Sequence, residues 1–228
     1  MTINRSTITQ SLIDKYGFKT YLEIGVESGK NFFPIKAGRK IAVDPYLKFS
    51  PLKQFFKAIQ YPANMHASYF RMESDRFFTE KADKVLQNTP LDICLVDGMH
   101  EYAYALRDTE NCLNRLAANG VIIMHDCNPQ TPEASYTWAQ WNEHQCQGFW
   151  NGDVWKSIMH LRSLHRDINV FVLDADHGLG IVTRGAPENP LSFTQEQIER
   201  FTYADLAANR QEWLNLKPAE YFREYFKM

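Results

Sequence analysis

Four side chains near the middle of the chain have the types and spacing for chemistry. They are Asp97 and His100 in Val96-Asp97-Gly98-Met99-His100-Glu101-Tyr102, and His125 and Asp126 in Met124-His125-Asp126. Each pair follows a short apolar run, 91–96 or 121–124, of the kind that forms a buried strand. If those strands are neighbours, Asp97 and Asp126 lie close together, and two close carboxylates are costly unless something neutralises them. A hard divalent cation such as Mg²⁺, held by Asp97 and Asp126 with water and substrate, is one solution. The plainer alternative is that Asp126 caps its loop and Asp97 bonds backbone amides. A histidine titrates near neutrality, so His100, just before a helix, suits removal of a hydroxyl proton. His125 is a second candidate for that role. On a buried strand it reads more naturally as a satisfied core histidine.

A second stretch with chemical content is Tyr21-Leu22-Glu23-Ile24-Gly25-Val26-Glu27-Ser28-Gly29-Lys30-Asn31, followed by Lys40-Ile41-Ala42-Val43-Asp44-Pro45. It reads as a buried strand, a glycine turn, a short helix, and a second strand ending in a carboxylate. Gly25 and Gly29 permit a tight turn and close approach to a ligand. The amides of the following helix would face a polar or anionic group. Asp44 lies about 20 residues beyond Glu23, where a doubly wound fold puts the acid that grips ribose hydroxyls. The dinucleotide fingerprint G-x-G-x-x-G is absent, because Val26 and Glu27 follow Gly25. Glu23 would repel a phosphate but could meet an ammonium. A ligand with a ribose and an amino group but no phosphate fits better, and S-adenosylmethionine is one. The plain alternative is a strand, turn and strand that happen to carry Gly and Asp.

The elements that position these residues alternate along the chain. Residues 6–16 read as a helix that Gly17 stops. Residues 20–25 and 41–44 read as strands, with a short helix beginning over 31–35. Ser50-Pro51 starts a helix through about 59. A strand within 65–72 is placed by the alternation alone. Ser74-Asp75 then caps one helix through Leu86. After the strand at 91–97, a helix carrying Tyr102, Leu106, Cys112, Leu113 and Leu116 is closed by Asn119-Gly120. Residues 121–124 form a central parallel strand. Residues 127–153 form a long polar and aromatic loop, and loops of that length are often functional. Its aromatics, Trp138, Trp141, Phe149 and Trp150, could stack on an acceptor or exclude water. Trp155 reads as core. A helix covers 154–164. Residues 168–173 and 179–182 must form an antiparallel hairpin, since nothing helical fits between them. Residues 194–227 read as a helical tail that packs on the sheet or on a partner chain.

Composition bounds the function. The 228 residues are 44% hydrophobic with a net charge of −2, so a sizeable core and no basic footprint are expected. No apolar run approaches the roughly 20 residues of a membrane span, and the N-terminus lacks a signal-peptide core. The four cysteines show no CxxC spacing, and Cys94 and Cys112 read as buried thiols, so a reduced cytoplasmic protein is expected. Expected partners are a small-molecule acceptor and, through the tail, a second copy of the chain. Neither nucleic acid nor a membrane is expected.

Taken together, these motifs resemble the class I S-adenosylmethionine-dependent methyltransferases. Within them the chain resembles the small O-methyltransferase family that includes the macrocin-type sugar methyltransferases. The resemblance rests on Tyr21–Val26, Val43-Asp44-Pro45, and Ser74-Asp75 with Phe77-Phe78. It also rests on Val96–Tyr102 with Asp108, Gly120–Asp126 with Pro129, and Gly152-Asp153-Val154-Trp155-Lys156. It spans about residues 20–185, with Tyr203-Ala204-Asp205-Leu206, Asn209-Arg210 and Leu214-Asn215-Leu216 adding to it in the tail. It implies an α/β, doubly wound, mostly parallel Rossmann-like sheet with a C-terminal antiparallel hairpin. The domain would cover 1–185, with a helical extension over 186–228. It implies Glu23, Gly25 and Gly29 at the methionine end of the cofactor, Asp44 at the ribose, and Ser74 and Asp75 near the adenine. Asp97 would serve both cofactor and catalysis, with His100 as base. For Ser74 and Asp75 a plain helix cap is the competing reading. Related metal-dependent O-methyltransferases carry acids at the places of Asp97 and Asp126, usually followed by Asn or Asp. Here Cys127 follows, a poor Mg²⁺ ligand.

The function expected from all this is methyl transfer from S-adenosylmethionine to a small-molecule hydroxyl, such as that of a sugar or glycan precursor. Two other classes compete. One is a metal-dependent hydrolase or hydroxylase using Asp97, His100, His125 and Asp126. The other is a non-catalytic module that keeps the nucleotide fold.

Overall fold

The computed structural model describes residues 2–87 and 89–228. Eight strands form one sheet: β1 (Thr20–Ile24), β2 (Arg39–Val43), β3 (Ala67–Phe70), β4 (Leu91–Val96), β5 (Leu116–Met124), β6 (Ile168–Asp174), β7 (Leu179–Arg184) and β8 (Leu216–Pro218). Their order is β3-β2-β1-β4-β5-β7-β6-β8. Strands β1 to β5 are mutually parallel, β7 runs antiparallel to β5 and β6, and β8 is parallel to β6. The helices are α1 (Arg5–Tyr16), α2 (Pro51–Gln60), α3 (Ser74–Glu80), α4 (Ala82–Leu86), α5 (Tyr102–Leu113), α6 (Trp138–Glu143), α7 (Trp155–Leu164), α8 (Gln195–Arg200), α9 (Tyr203–Trp213) and α10 (Tyr221–Tyr225). The apolar runs of β1, β4 and β5 are buried on both faces, as parallel strands under two helical layers must be. One core lies on the α5 and α7 side, the other on the α1 side. Among the described residues no helix is long and apolar enough to cross a membrane.

The doubly wound sheet and its closing hairpin match the sequence reading, and several local expectations do not. No helix follows the glycine turn: residues 27–34 form successive turns. Phe32 and Phe33 are drawn into the core, Pro34 can donate no hydrogen bond, and the buried Lys40 ammonium takes the carbonyls of Phe32 (2.6 Å) and Phe33 (3.4 Å). The helix expected from Ser74 through Leu86 breaks at Lys81, and its N-cap is Glu73, so Ser74 and Asp75 occupy the first turn. The helix closed by Asn119-Gly120 ends at Leu113 instead. Leu116 already pairs with Leu91, and Asn119-Gly120 sits in an irregular part of β5 before Ile93↔Val121. A helix pattern and a bulged strand start are alike in so short a window.

The tail is not purely helical. After α9 it adds β8 to the sheet edge, with Val172↔Leu216. Phe222 and Phe226 bury against the α1 side, while Trp213 and Leu214 join the α7 side. The buried Arg162 guanidinium on α7 donates to the Trp213 carbonyl at 2.7 Å and to those of Glu212 and Asn189. The 127–153 segment likewise has structure of its own, with α6 capped by a Thr137–Gln140 box.

Candidate active site

A cavity of about 920 Å³ opens over the carboxyl ends of β1, β2, β4 and β5. That is where strand order reverses, and where open α/β sheets bind ligands. Glu23, Gly25, Asp44, Ser74, Asp75, Asp97, His100, His125 and Asp126 all line it. Gly29 does not: it turns with φ +75°, and the direction a side chain would take is filled by the Phe33 ring. Gly25 has φ +83°, and a Cβ there would lie 1.8 Å from the Asp97 carbonyl oxygen, so β1 and β4 can end side by side only over glycine.

At one end of the cavity, Asp44 accepts from the Glu27 amide through Oδ2 and the Tyr46 amide through Oδ1, each at 2.6 Å. These bonds fix its carboxylate at the cavity wall. Glu23 is buried at the end of β1. It accepts from Asn31 Nδ2 at 2.9 Å and from the Tyr21 hydroxyl. Burial raises its pKa to about 7, although these two hydrogen bonds and the Lys40 ammonium pull it down. Asp108 is also buried on this wall, and burial raises it to about 7 despite a hydrogen bond from Ser74. Asp75 pairs with Arg107 Nε at 2.6 Å.

At the other end, three carboxylates and three bases interlock. His125 Nδ1 lies 2.6 Å from Asp126 Oδ2 and 3.2 Å from Asp97 Oδ1, and its Nε2 lies 3.6 Å from Asp176 Oδ1. Burial disfavours a charged ring, but the hydrogen bonds to Asp126, Asp176 and Asp97 outweigh it and push His125 to about 11. His125 is therefore an imidazolium at neutral pH. It is neither a free base nor a passive core residue. Arg5 Nη1, from the first turn of α1, sits 3.5 Å from Asp97 Oδ2 and against the His125 ring. Burial works against the charge of Asp97 too, yet His100, His125 and Arg5 hold its carboxyl far below the usual range. Asp126 adopts φ +61°, a left-handed conformation that Asp tolerates better than most, and Asn151 Nδ2 donates to its Oδ1 at 3.0 Å.

His100 is held differently. Its Nδ1 donates to the Trp150 carbonyl at 3.0 Å, and its ring stacks on Trp150 at 5.2 Å. A carbonyl only accepts, so the proton is on Nδ1 and Nε2 is left to face Asp126 (3.3 Å) and Asp97 (3.5 Å). Burial lowers its pKa, but these two carboxylates raise it more, and the net shift is upward. Gly152 makes this placement possible: with φ +62°, a Cβ there would lie 1.5 Å from the His100 carbonyl oxygen. Asp153 caps α5 by accepting from the Tyr102 amide at 2.6 Å.

Asp97, His100 and Asp126 bring donor atoms within 4.8 Å of one another. The set does not fit Mg²⁺. That ion wants an octahedron of oxygens, whereas here one donor is nitrogen and the carboxylate oxygens already face His125, Arg5 and Asn151. The neutralising role that the sequence left to a metal is filled by His125 and Arg5. Cys127 takes no part, being buried under Gly180 with its thiol toward the Met124 carbonyl. Of the aromatic residues, Phe149 and Trp150 line the cavity, Trp138 and Trp141 pack on Trp150, and Trp155 is core beside Trp213.

Arg5, Asn31, Asp108, Asn151 and Asp176 were not legible as site residues. Arg5 and Asp176 lie far in sequence from Asp97 and Asp126 and reach the site only because α1 and the β6–β7 turn fold over it. Asp108 belongs to the motifs quoted above, but its helical position pointed equally to solvent.

Residues 22–127 match a family model described as a methyltransferase domain. No curated protein matches the chain. Among solved structures it is similar to the O-methyltransferase TomG of Streptomyces achromogenes with S-adenosylmethionine. The TM-score is 0.56 at 10% identity, covering 80% of each chain. It is also similar to the Podospora anserina methyltransferase PaMTH1 with S-adenosylhomocysteine (TM-score 0.54, 17% identity, 81% of this chain and 80% of that one). A third is a Bacillus cereus O-methyltransferase with S-adenosylhomocysteine (TM-score 0.53, 13% identity, 80% and 82%). A methyltransferase-domain match thus lies over the site-bearing strands, and the fold around it is that of the class I methyltransferases.

Proposed function

We propose that the protein moves a methyl group from S-adenosylmethionine to a hydroxyl of a small molecule, such as a sugar or glycan precursor, with His100 as the base. One observation carries this reading. A single cavity joins an end built for an adenosyl amino acid to an end where His100 Nε2 faces inward between two carboxylates. At the first end Asp44 faces the ribose, Ser74 and Asp75 lie toward the adenine, and Glu23 meets the ammonium. That ammonium would add to the weak stabilisation that Lys40 already gives the Glu23 carboxylate.

S-adenosylmethionine supplies an activated methyl on a sulfonium. The chain aligns the acceptor oxygen behind that methyl, which is where most of the rate gain in such a displacement arises. His100 Nε2 takes the hydroxyl proton as the new oxygen–carbon bond forms. The resulting imidazolium lies between Asp97 and Asp126, which stabilise its charge. His125, already protonated, offsets the repulsion between those two acids. Trp150 fixes the His100 ring and, with Phe149, excludes water from the reacting oxygen.

The test is binding followed by turnover. Wild-type protein should bind S-adenosylhomocysteine in calorimetry, and Asp44→Ala should weaken it at least about tenfold, the loss of one or two good hydrogen bonds. No heat from wild type would end the reading.

A further inference from the structure

Helix α2 is amphipathic in the wrong direction for a globular surface. Its apolar residues Leu52, Phe55, Phe56 and Ile59 recur at helical spacing and so share one face. They are 64%, 61%, 58% and 64% exposed. The residues of α2 that are half-buried against the body are Gln54, Lys57 and Ala58, on the opposite side. The polar side therefore faces the protein and the apolar side faces out. Tyr46 and Met65, on either side of α2 in sequence, are also exposed. A contiguous exposed apolar face of this kind marks an interaction site.

The charge around it is one-sided. Between Asp44 and Glu73 there is no acidic residue, whereas Lys48, Lys53, Lys57 and Arg71 are basic, in a chain whose net charge is −2. Lys53 is exposed on α2 itself, while Lys57 lies on its body-facing side and Lys48 pairs with Glu27. Pairing with a second copy about a two-fold axis would set Lys53 against its own counterpart, with no acid on the helix to receive it. The helix is also small for that purpose. Ten residues are about 15 Å long and about 10 Å wide, against about 800 Å² per partner in a stable dimer. Aromatic and branched side chains on one face with the exposed Lys53 beside them fit the boundary of an anionic lipid surface, where the rings enter the acyl edge and the ammonium meets phosphate.

We propose that α2 seats the protein on an anionic lipid surface, lying along it without crossing. The absence of a long apolar span does not bear on such a contact. Tyr46 and Lys48, just before α2, line the active-site cavity, and Lys53 Nζ donates to the carbonyl of Ser28, another lining residue, at 3.2 Å. Seating α2 therefore sets the mouth of the cavity beside the lipid. The contact does not depend on the reaction.

The experiment is sedimentation of the full-length protein with vesicles of phosphatidylcholine alone, or of equal parts phosphatidylcholine and phosphatidylglycerol. Wild type should pellet with the mixed vesicles only, and less as salt is raised. Phe55→Ser with Phe56→Ser should lower the bound fraction by more than about tenfold, while keeping its melting temperature and its S-adenosylhomocysteine affinity, because neither ring touches the core. Lys53→Glu should weaken the preference for phosphatidylglycerol. Wild type left in the supernatant, or the serine variant pelleting as well as wild type, would overturn the proposal. So would light scattering that shows a dimer which the serine variant turns into a monomer, since a second copy would then own the face.

Discussion

His100 and His125 show how the same side chain takes opposite roles from its neighbours. His125 touches three carboxylates and is held protonated, whereas His100 spends Nδ1 on a carbonyl and keeps Nε2 inward. His100→Ala should therefore lower turnover by about 10²- to 10⁴-fold and leave S-adenosylhomocysteine affinity nearly unchanged, as read from initial rates and calorimetry. Turnover equal to wild type would remove His100 from the mechanism. A base must be neutral to accept a proton, and the carboxylates raise the His100 pKa. Activity should thus be lost as pH falls through a value above the ordinary histidine pKa of about 6.5, and a kcat/KM profile will locate it. Glu23 gives a second pH effect. Its pKa of about 7 reflects burial that Lys40 and two hydrogen bonds only partly offset, and an ammonium beside it would favour the carboxylate further. Cofactor binding near pH 7 should release a proton, so affinity should fall as pH drops below about 7. Calorimetry in buffers of differing ionisation heat will detect the release, and Glu23→Gln should abolish it.

At the scale of elements, glycines decide where strands and loops may meet. Gly25 lets β1 end against the Asp97 backbone, and Gly152 lets the long loop lie against the His100 backbone. Alanine at either place forces a backbone collision in a left-handed conformation, a strain of about 1–3 kcal/mol or more. Urea unfolding should show that loss for both Gly25→Ala and Gly152→Ala. Cofactor affinity should fall chiefly in the first and turnover chiefly in the second. Equal stability to wild type would show that the strands can separate without cost.

For the whole molecule, the tail is tied into the sheet by β8 and into α7 by Arg162. That guanidinium is buried, and burial lowers its pKa to about 10, so it stays charged while holding three carbonyl groups. Arg162→Met would leave those acceptors without donors and should cost about 3 kcal/mol, seen as a lower urea midpoint with the slope unchanged. A change below about 0.5 kcal/mol would mean that water replaces the guanidinium freely.

The order of strands and helices, the hairpin, and the placing of Asp44, Asp97, His100 and Asp126 at strand ends were legible in the sequence by itself. Each follows from local periodicity, turn chemistry or position at the end of an apolar run. Only the tertiary structure decided three other things: that residues 27–34 are turns, that β8 joins the sheet, and that His125 and Arg5 neutralise the acids. The turns depend on Lys40 bonding carbonyls from the neighbouring strand. Strand β8 and Arg5 depend on contacts between residues more than forty positions apart, and His125 meets Asp97 only because β4 and β5 pair side by side. A short-range pattern carries no record of which distant charge or strand edge will arrive beside it.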